Sequence, residues 1–214
     1  MTSLLIIGES GSGKSTSIRN LDPKETFIIN VMNKPLPFKG WSKLYTPAKD
    51  LTGNIFATDN TGAIIKTIRY VNQKRPEIKT LIIDDFQYTM ANEFMRKALE
   101  SGWGKFSEIG QNAWRTINEL NLLRDDLIGI VLSHSETSDS NHVKMKTIGK
   151  MLDEKVCVEG MFTIVLNAVV KEGKYVFSTQ HDGTSIAKSP MGMFETTFVP
   201  NDLNEVLKIV RNYQ

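Results

Sequence analysis

The sequence predicts an α/β fold in which a mostly parallel central sheet has helices on both faces and a β-hairpin near the carboxyl terminus. Two observations support this fold class. The candidate strands are continuous apolar runs without polar alternation, which is typical of strands that are buried on both faces. Segments with helical spacing of apolar residues separate most of these runs, and this alternation is typical of parallel sheets.

The composition is that of an ordinary globular domain. The 214 residues are 40% hydrophobic and 23% charged, so we expect one domain over residues 1–214 with a core that needs no disulfides. The formal net charge of +2 gives no general attraction for nucleic acid. Cys157 is the only cysteine, which favours a reducing compartment and a place in the core for this thiol. We expect a cytoplasmic protein without a membrane span.

The turn after the first predicted strand carries the most specific motif of the chain. The strand is the apolar run Leu4-Leu5-Ile6-Ile7, and the residues after it match the phosphate-binding P-loop pattern G-x-x-x-x-G-K-[ST]. These residues are Gly8, Glu9, Ser10, Gly11, Ser12, Gly13, Lys14, Ser15 and Thr16. Inward-pointing N–H groups of such a loop attract phosphate, as does the amino end of the helix that follows, here predicted to end near Pro23. We expect this loop to bind ATP, with Lys14 reaching the β- and γ-phosphates and Ser15 binding Mg²⁺ through its hydroxyl.

The other elements follow in order along the chain. Apolar runs predict the strands, and apolar residues at helical spacing predict the helices. The predicted elements are a strand over residues 26–31, a helix over 64–71, a strand over 80–85, helices over 89–100 and 106–123, a strand over 127–132, a hairpin of strands over 161–170 and 174–178, and a helix capped by Asn201. Residues 33–62 contain several prolines and glycines, which predict a long loop with a short strand at 43–45.

Polar residues end two of the buried strands. Asp84 and Asp85 close the run Leu81-Ile82-Ile83, and an unpaired buried carboxylate is costly, so we expect Asp84 to hold Mg²⁺. Asp85 is predicted to orient or deprotonate an attacking water, and a helix-capping role is its alternative. His134 ends the next strand, where P-loop ATPases of the additional-strand group carry a sensor of the γ-phosphate; a purely structural role is equally open.

The order of these motifs resembles the RecA-like P-loop ATPases, and most closely the compact phage RecA-like proteins of single-strand annealing and recombination. The resemblance is carried by residues 8–16, 80–86 and 130–136 and, more weakly, by Ala187-Lys188-Ser189-Pro190. It implies an ATPase that uses ATP and Mg²⁺, binds single-stranded DNA and assembles as a ring or filament of identical subunits, in the host cytoplasm if the gene is of phage origin. Only the P-loop and the acidic strand are specific, and they specify an ATPase rather than a recombinase.

The resemblance also implies two further groups of residues. The segment after the sensor strand would be a DNA-binding loop, here residues 135–155, with Lys144, Lys146 and Lys150 on the phosphate backbone and a polar start at 138–141 that DNA would order. A solvated surface loop is the alternative. Lys188 would complete the nucleotide site of a neighbouring subunit, with Arg211 and Lys171 as alternatives for that role.

The sequence departs from the RecA-like pattern in two places. The first strand starts almost at Met1, so we expect a chain without the N-terminal polymerisation domain of larger recombinases. No glutamate follows the second strand, where these proteins place a catalytic carboxylate; Asn30 and Asn33 stand there, which leaves Asp85 as its substitute and weak or DNA-stimulated hydrolysis open. Two other functions also remain open: a nucleotide-switched factor that acts on a protein partner, as a helicase loader does, and a P-loop kinase, which would need an arginine-rich lid.

Overall fold

A mostly parallel sheet forms the centre of the protein, whose computed structural model describes residues 3–49, 52–138 and 142–213. The strands in these ranges are β1 (Ser3–Gly8), β2 (Thr26–Asn30), β3 (Ile55–Ala57), β4 (Thr80–Asp84), β5 (Ile128–Thr137), β6 (Val143–Met145), β7 (Ile164–Lys171), β8 (Lys174–Ser178) and β9 (Phe198–Pro200). Their order across the sheet is β3-β2-β4-β5-β1-β7-β8-β9, and β6 lies off this path and pairs with β5. The strands from β3 to β7 in this order are parallel, and β8 and β9 continue antiparallel. The predicted fold class is confirmed.

Helices cover both faces of this sheet. They are α1 (Trp41–Leu44), α2 (Thr61–Lys74), α3 (Gln87–Arg96), α4 (Gly104–Leu120) and α5 (Leu203–Tyr213), with short 3-10 helices over Ser15–Asn20 and Val158–Met161 and a π-helical turn over Met151–Lys155. Buried side chains of α2, α3 and α4 pack on one face, and those of α5 and the first 3-10 helix pack on the other. None of the helices in the described ranges is long and apolar enough to cross a bilayer.

Each central strand contributes side chains to two apolar layers. Leu5 and Ile7 of β1 belong to the layer with α2 and α4, whereas Leu4 and Ile6 belong to the layer with α5. All four side chains are fully buried. Because successive side chains of a strand point to opposite faces, a sheet that is covered on both sides needs apolar residues at every position. This explains the continuous apolar runs in the sequence.

The position of β5 determines where the functional residues meet. This strand lies between β1 and β4, with Leu5 opposite Val131 on one side and Ile82 opposite Ile130 on the other. The P-loop after β1 and the acids at the end of β4 therefore meet across the end of β5.

The helix after the P-loop ends close to its predicted end, whereas the segment between β2 and α2 differs from its prediction. The helix is a 3-10 helix that ends at Asn20, and Leu21 is extended. The sequence after it explains this end, because the residue before Pro23 is disfavoured in helical conformation. Residues 43–45 do not form the predicted strand, since Trp41–Leu44 is a single helical turn, and β3 at Ile55–Ala57 was not predicted.

The second half of the chain also contains corrections. β5 continues to Thr137 and pairs with β6, so part of the predicted loop over 135–155 is a β-hairpin. The carboxylate of Asp202 accepts a hydrogen bond of 2.9 Å from the N–H of Asn204 and thereby caps α5, instead of Asn201. Cys157 is exposed, so its predicted place in the core is wrong.

Candidate active site

A cavity of about 380 Å³ opens at the carboxyl ends of the parallel strands. It is lined by Ser10, Gly11, Gly13, Lys14, Ser15, Thr16, Lys34, Pro35, Pro37, Asp84, Asp85, His134 and Tyr175. The lining therefore combines most of the P-loop with the ends of β4 and β5, as the sequence predicts. In open parallel α/β sheets, this edge is the usual place for a ligand.

The P-loop adopts a conformation that explains its glycines. Gly13 has a φ of 91°, which side chains of L-residues rarely allow, and a Cβ atom on it would lie 2.9 Å from a ring carbon of Tyr175. A Cβ atom on Gly8 would lie 2.6 Å from the carbonyl oxygen of Ala168. Within the loop, the buried hydroxyl of Ser12 has no hydrogen-bond partner. Ser12 is not among the residues that line this cavity; with Glu9, Ser135 and Asn167 it lines a neighbouring one.

Lys14 is buried inside this loop with its ammonium group turned towards main-chain oxygens. Its Nζ atom donates hydrogen bonds of 2.8 Å to the carbonyl oxygens of Gly8 and Glu9. Burial lowers the pKa of Lys14 to about 8, although the nearby charges of Asp85 and Asp84 oppose that shift. A buried ammonium group without a full anionic partner is poised to bind an anion such as a phosphate.

Ser15 and Asp84, which the sequence predicts to hold Mg²⁺, are in direct contact. The Ser15 hydroxyl donates a hydrogen bond of 2.8 Å to Oδ1 of Asp84, whose side chain is buried. Burial, and then the charge of Asp85, raise the pKa of Asp84 to about 6. These oxygen donors fit Mg²⁺. In the described part of the chain, no group of three or more His, Cys, Asp or Glu side chains could hold a metal alone, so phosphate oxygens and water would complete the coordination.

Asp85 faces the cavity in a strained backbone conformation. Its φ is 64°, which is rare for a residue other than glycine. One carboxylate oxygen lies 3.0 Å from Nζ of Lys34, and the other lies 3.5 Å from Nε2 of His134. The structure contradicts the helix-capping alternative for Asp85, because α3 begins after Phe86 and no side chain caps it. The carboxylate instead faces the side chains of Lys34 and His134 at the cavity.

His134 lies at the cavity end of β5, in register with Gly8 of β1. Its N–H donates a hydrogen bond of 3.0 Å to Oε1 of Gln87, and its ring meets the ring of Tyr88 edge to face at a centroid distance of 6.0 Å. Burial, and then the positive charge of Lys14, lower the pKa of the imidazole. This shift favours the neutral imidazole at pH 7, which can donate a hydrogen bond from Nε2 to the carboxylate of Asp85.

Lys34 is a site residue that the sequence analysis missed. The Asn30 amide donates a hydrogen bond of 2.7 Å to the carbonyl oxygen of Lys34 and accepts one of 3.3 Å from its N–H. Asn30 thus fixes the turn after β2 and does not replace a catalytic carboxylate. The loop shows no periodicity of apolar residues that could predict its structure. The one signal in the sequence was Asn30, which stands where RecA-like proteins place a catalytic glutamate.

Tyr175 was missed for a similar reason. It belongs to β8, which was predicted only as half of a hairpin, and its ring lies against Gly13 and lines the cavity. Tyr175 is 54% exposed, so an aromatic surface is available beside the P-loop. The hairpin itself was predicted, but the contact of Tyr175 with the P-loop could not be inferred from the spacing of apolar residues.

The lysines proposed for DNA lie outside the cavity. Lys144 on β6 has its Nζ 3.7 Å from Oε1 of Glu136, and Nζ of Lys150 lies 3.8 Å from Oε1 of Glu154. Lys146 is exposed, and its N–H donates a hydrogen bond of 2.8 Å to the carbonyl oxygen of His134. The polar start of this segment at residues 139–141 is not among the described residues.

The three candidates for completing a neighbouring site also lie outside this cavity. The main chain of Lys188 exchanges two hydrogen bonds of 2.8 Å with Val165, near the amino end of β7, and its side chain is exposed. Nη2 of Arg211 lies 3.3 Å from the hydroxyl of Thr80, at the amino end of β4. Nζ of Lys171 lies over the ring of Phe198. The role of Lys188 towards a second subunit stays a prediction.

Comparison with known proteins gives one family. A family model described as AAA domain matches residues 1–191, a range that includes the P-loop, both acids and His134. No curated protein matched the sequence. The AAA domain is typical of nucleotide-binding ATPases, which usually use Mg²⁺, and the geometry of the cavity agrees with that chemistry. The chain therefore belongs to the AAA domain family.

Proposed function

We propose that this protein binds Mg²⁺-ATP in the cavity between the P-loop and the end of β4 and hydrolyses it to ADP and phosphate. The observation that carries the proposal is the 2.8 Å hydrogen bond between Ser15 and Asp84, next to the buried ammonium group of Lys14. A hydroxyl, a carboxylate and an ammonium group at the open edge of one sheet are the groups that ATP and its metal require.

Each of these side chains has a defined task in this proposal. Lys14 exchanges the carbonyl oxygens of Gly8 and Glu9 for phosphate oxygens, and Ser15 and Asp84 hold Mg²⁺. When bound, Mg²⁺ neutralises charge on the β- and γ-phosphates. Asp85 orients the attacking water and accepts its proton, and the neutral His134, with Nε2 3.5 Å from this carboxylate, holds Asp85 in place.

The direct test is ATP hydrolysis by the purified protein, measured as phosphate release with and without Mg²⁺. Lys14→Ala should abolish tight ATP binding because charge-assisted hydrogen bonds of about 1.5 to 3 kcal/mol each are lost. Lys24→Ala is the matched control, since this lysine is exposed and lies outside the cavity. Calorimetry that detects no binding of Mg²⁺-ATP to the folded wild-type protein would contradict the proposal.

We further propose that ATP turnover serves single-stranded DNA recombination or annealing by an assembly of identical subunits, in which Lys188 reaches the site of the next subunit. This proposal is supported by the continuity of β5, which has His134 at the cavity and continues into the hairpin that bears Lys144. Lys146 extends the same link, because its N–H is bonded to the carbonyl oxygen of His134. A ligand on these lysines would contact the same element as the phosphate site.

ATP turnover with and without single-stranded DNA tests this link. We expect stimulation by DNA, and a binding constant that falls with salt by roughly 0.7 logarithmic units per phosphate contacted for each logarithmic unit of salt. Lys146→Ala should reduce that slope by about one contact, or roughly 0.7. No binding to DNA at low salt in the presence of ATP would exclude this function.

The second candidate is a nucleotide-switched factor that acts on a protein partner. Two observations favour it: Lys144 and Lys150 each face a glutamate, and the large apolar side chains of Met95, Leu99 and Trp103 are exposed near the connection of α3 and α4. A partner that is captured with the ATP-bound protein and remains after nuclease treatment would support this candidate over DNA binding.

A kinase has less support. Its arginine-rich lid would have to come from scattered arginines, and several of these have partners away from the cavity. Arg69 pairs with Glu119 and Arg96 pairs with Asp59. Arg124 donates hydrogen bonds to main-chain oxygens after α2. We therefore propose hydrolysis rather than phosphate transfer to a second substrate.

A further inference from the structure

The loop after β2 brings a second lysine to the cavity. Nζ of Lys34 lies 3.0 Å from Oδ2 of Asp85 and 5.0 Å from the centre of the Tyr88 ring. The Asn30 side chain holds the main chain of Lys34 through two hydrogen bonds. The base of this side chain is therefore fixed, while its charged end shares the cavity with Lys14.

We propose that Lys34 binds the terminal phosphate of the nucleotide and thereby makes the site prefer a nucleoside triphosphate over a diphosphate. This inference rests on the proposed binding of ATP. It adds a cation from the same chain, which is distinct from Lys14 in the P-loop and from any residue that a neighbouring subunit supplies.

The charges of the cavity support this assignment. Asp84 and Ser15 mark the position of the metal, and therefore the end of the nucleotide that carries the β- and γ-phosphates. Asp85 is next to Asp84, so its carboxylate would repel a γ-phosphate unless a cation lies between them. Lys34 is already bonded to Asp85 and can place its ammonium group between the two anions. A diphosphate lacks the phosphate that would need this cation.

The exposure of Lys34 also favours a role in binding over a role in folding. Its side chain is 54% exposed, and that of Asp85 is 13% exposed. Water screens the exposed ammonium group, which limits what its pair with Asp85 adds to folding stability. The same exposure lets the ammonium group move from the carboxylate to a phosphate without a large loss of hydration. Lys34→Ala should therefore fold with an unfolding temperature close to that of the wild type.

Calorimetry with two nucleotides tests this inference. A non-hydrolysable Mg²⁺-ATP analogue and Mg²⁺-ADP are titrated into the wild type, Lys34→Ala, Lys34→Arg and Lys39→Ala. Lys39 is the matched control, because it is an exposed lysine of the same loop that does not line the cavity. We expect Lys34→Ala to lower the affinity for the triphosphate analogue by about tenfold or more, because one charge-assisted hydrogen bond is lost. Its affinity for the diphosphate should fall by less than about twofold. Lys34→Arg should keep most of the preference, and Lys39→Ala should not change it.

The outcomes separate this inference from the proposed function. If neither nucleotide binds the wild type, the proposed function fails and the role of Lys34 fails with it. If both nucleotides bind the wild type, and Lys34→Ala lowers the two affinities equally or changes neither, only the role of Lys34 is overturned. A loss confined to the triphosphate supports both.

Discussion

The hydroxyl of Ser15 and Oδ1 of Asp84 are 2.8 Å apart, although 69 positions separate the two residues in the sequence. Ser15 follows β1 and Asp84 ends β4, and β5 lies between these strands. The pair therefore forms only when the three strands are assembled in the correct order and register. A local sequence motif and a distant carboxylate become one site through the topology of the sheet.

Asp84→Asn should change both metal dependence and stability. Because the carboxyl pKa is raised from 3.8 to about 6, the unfolded chain ionises Asp84 at lower pH than the folded chain. The ligand-free wild type should lose stability, on the order of 3 kcal/mol, as pH rises from about 3 to about 7, and Asp84→Asn should not show this loss. Urea unfolding across this pH range measures the difference. The variant should also bind ATP without a gain from Mg²⁺; identical pH profiles would contradict the argument.

Asp85→Asn should separate binding from turnover. The amide cannot accept the proton of the attacking water, so we expect turnover to fall by about a hundredfold or more, as for the loss of a general base. ATP affinity should not fall, because the amide removes a negative charge near the phosphates. Single-turnover hydrolysis and calorimetry on the same preparation give both quantities. Unchanged turnover would remove Asp85 from the catalytic role.

Tyr175→Ala should lower the affinities for ATP and ADP to the same extent. The ring lies against Gly13 and lines the cavity, so it can contact a part of the nucleotide that both ligands share. The loss of one aromatic contact predicts a decrease in affinity of about threefold to tenfold, with Tyr175→Phe close to the wild type. This pattern differs from that of Lys34→Ala, which should affect the triphosphate alone. Fluorescence titration with both nucleotides checks it, and a selective loss of ATP binding would argue against a shared contact.

Lys188→Ala tests whether a neighbouring subunit completes the site. The side chain is exposed near the amino end of β7, away from the cavity of its own chain. If it acts on the next subunit, Lys188→Ala should bind ATP normally but hydrolyse it slowly. A mixture with Lys14→Ala subunits should then recover part of the activity, because intact sites form where the two kinds of subunit meet. If the mixture recovers no activity, Lys188 does not act on a neighbouring subunit.

The central strands and the P-loop could be predicted because their causes are local. A strand that is buried on both faces must be apolar at each position, as β1 and β4 are, and the glycines of the P-loop have fixed spacing. The acids after β4 are conspicuous for the same reason, since carboxylates at the end of an apolar run need a partner. These features were sufficient to predict the place of Lys14, Ser15 and Asp84 in one site.

The features that escaped prediction depend on distant parts of the chain. β3 and β6 are three residues long, so neither shows a periodicity, and each is defined by main-chain pairing with a longer strand. Lys34 lies in a loop without a pattern and reaches the site because Asn30 fixes the turn. Cys157 is exposed although its neighbours suggested burial. Such positions are set by tertiary contacts rather than by local composition.

β5 runs without interruption from the core at Ile128, past His134, to Thr137 in the outer hairpin. A ligand of that hairpin and a ligand of the P-loop cavity would therefore contact the same strand. Thermodynamic linkage then requires reciprocity: a hairpin ligand that tightens ATP binding must itself be held more firmly, by the same factor, when ATP is present.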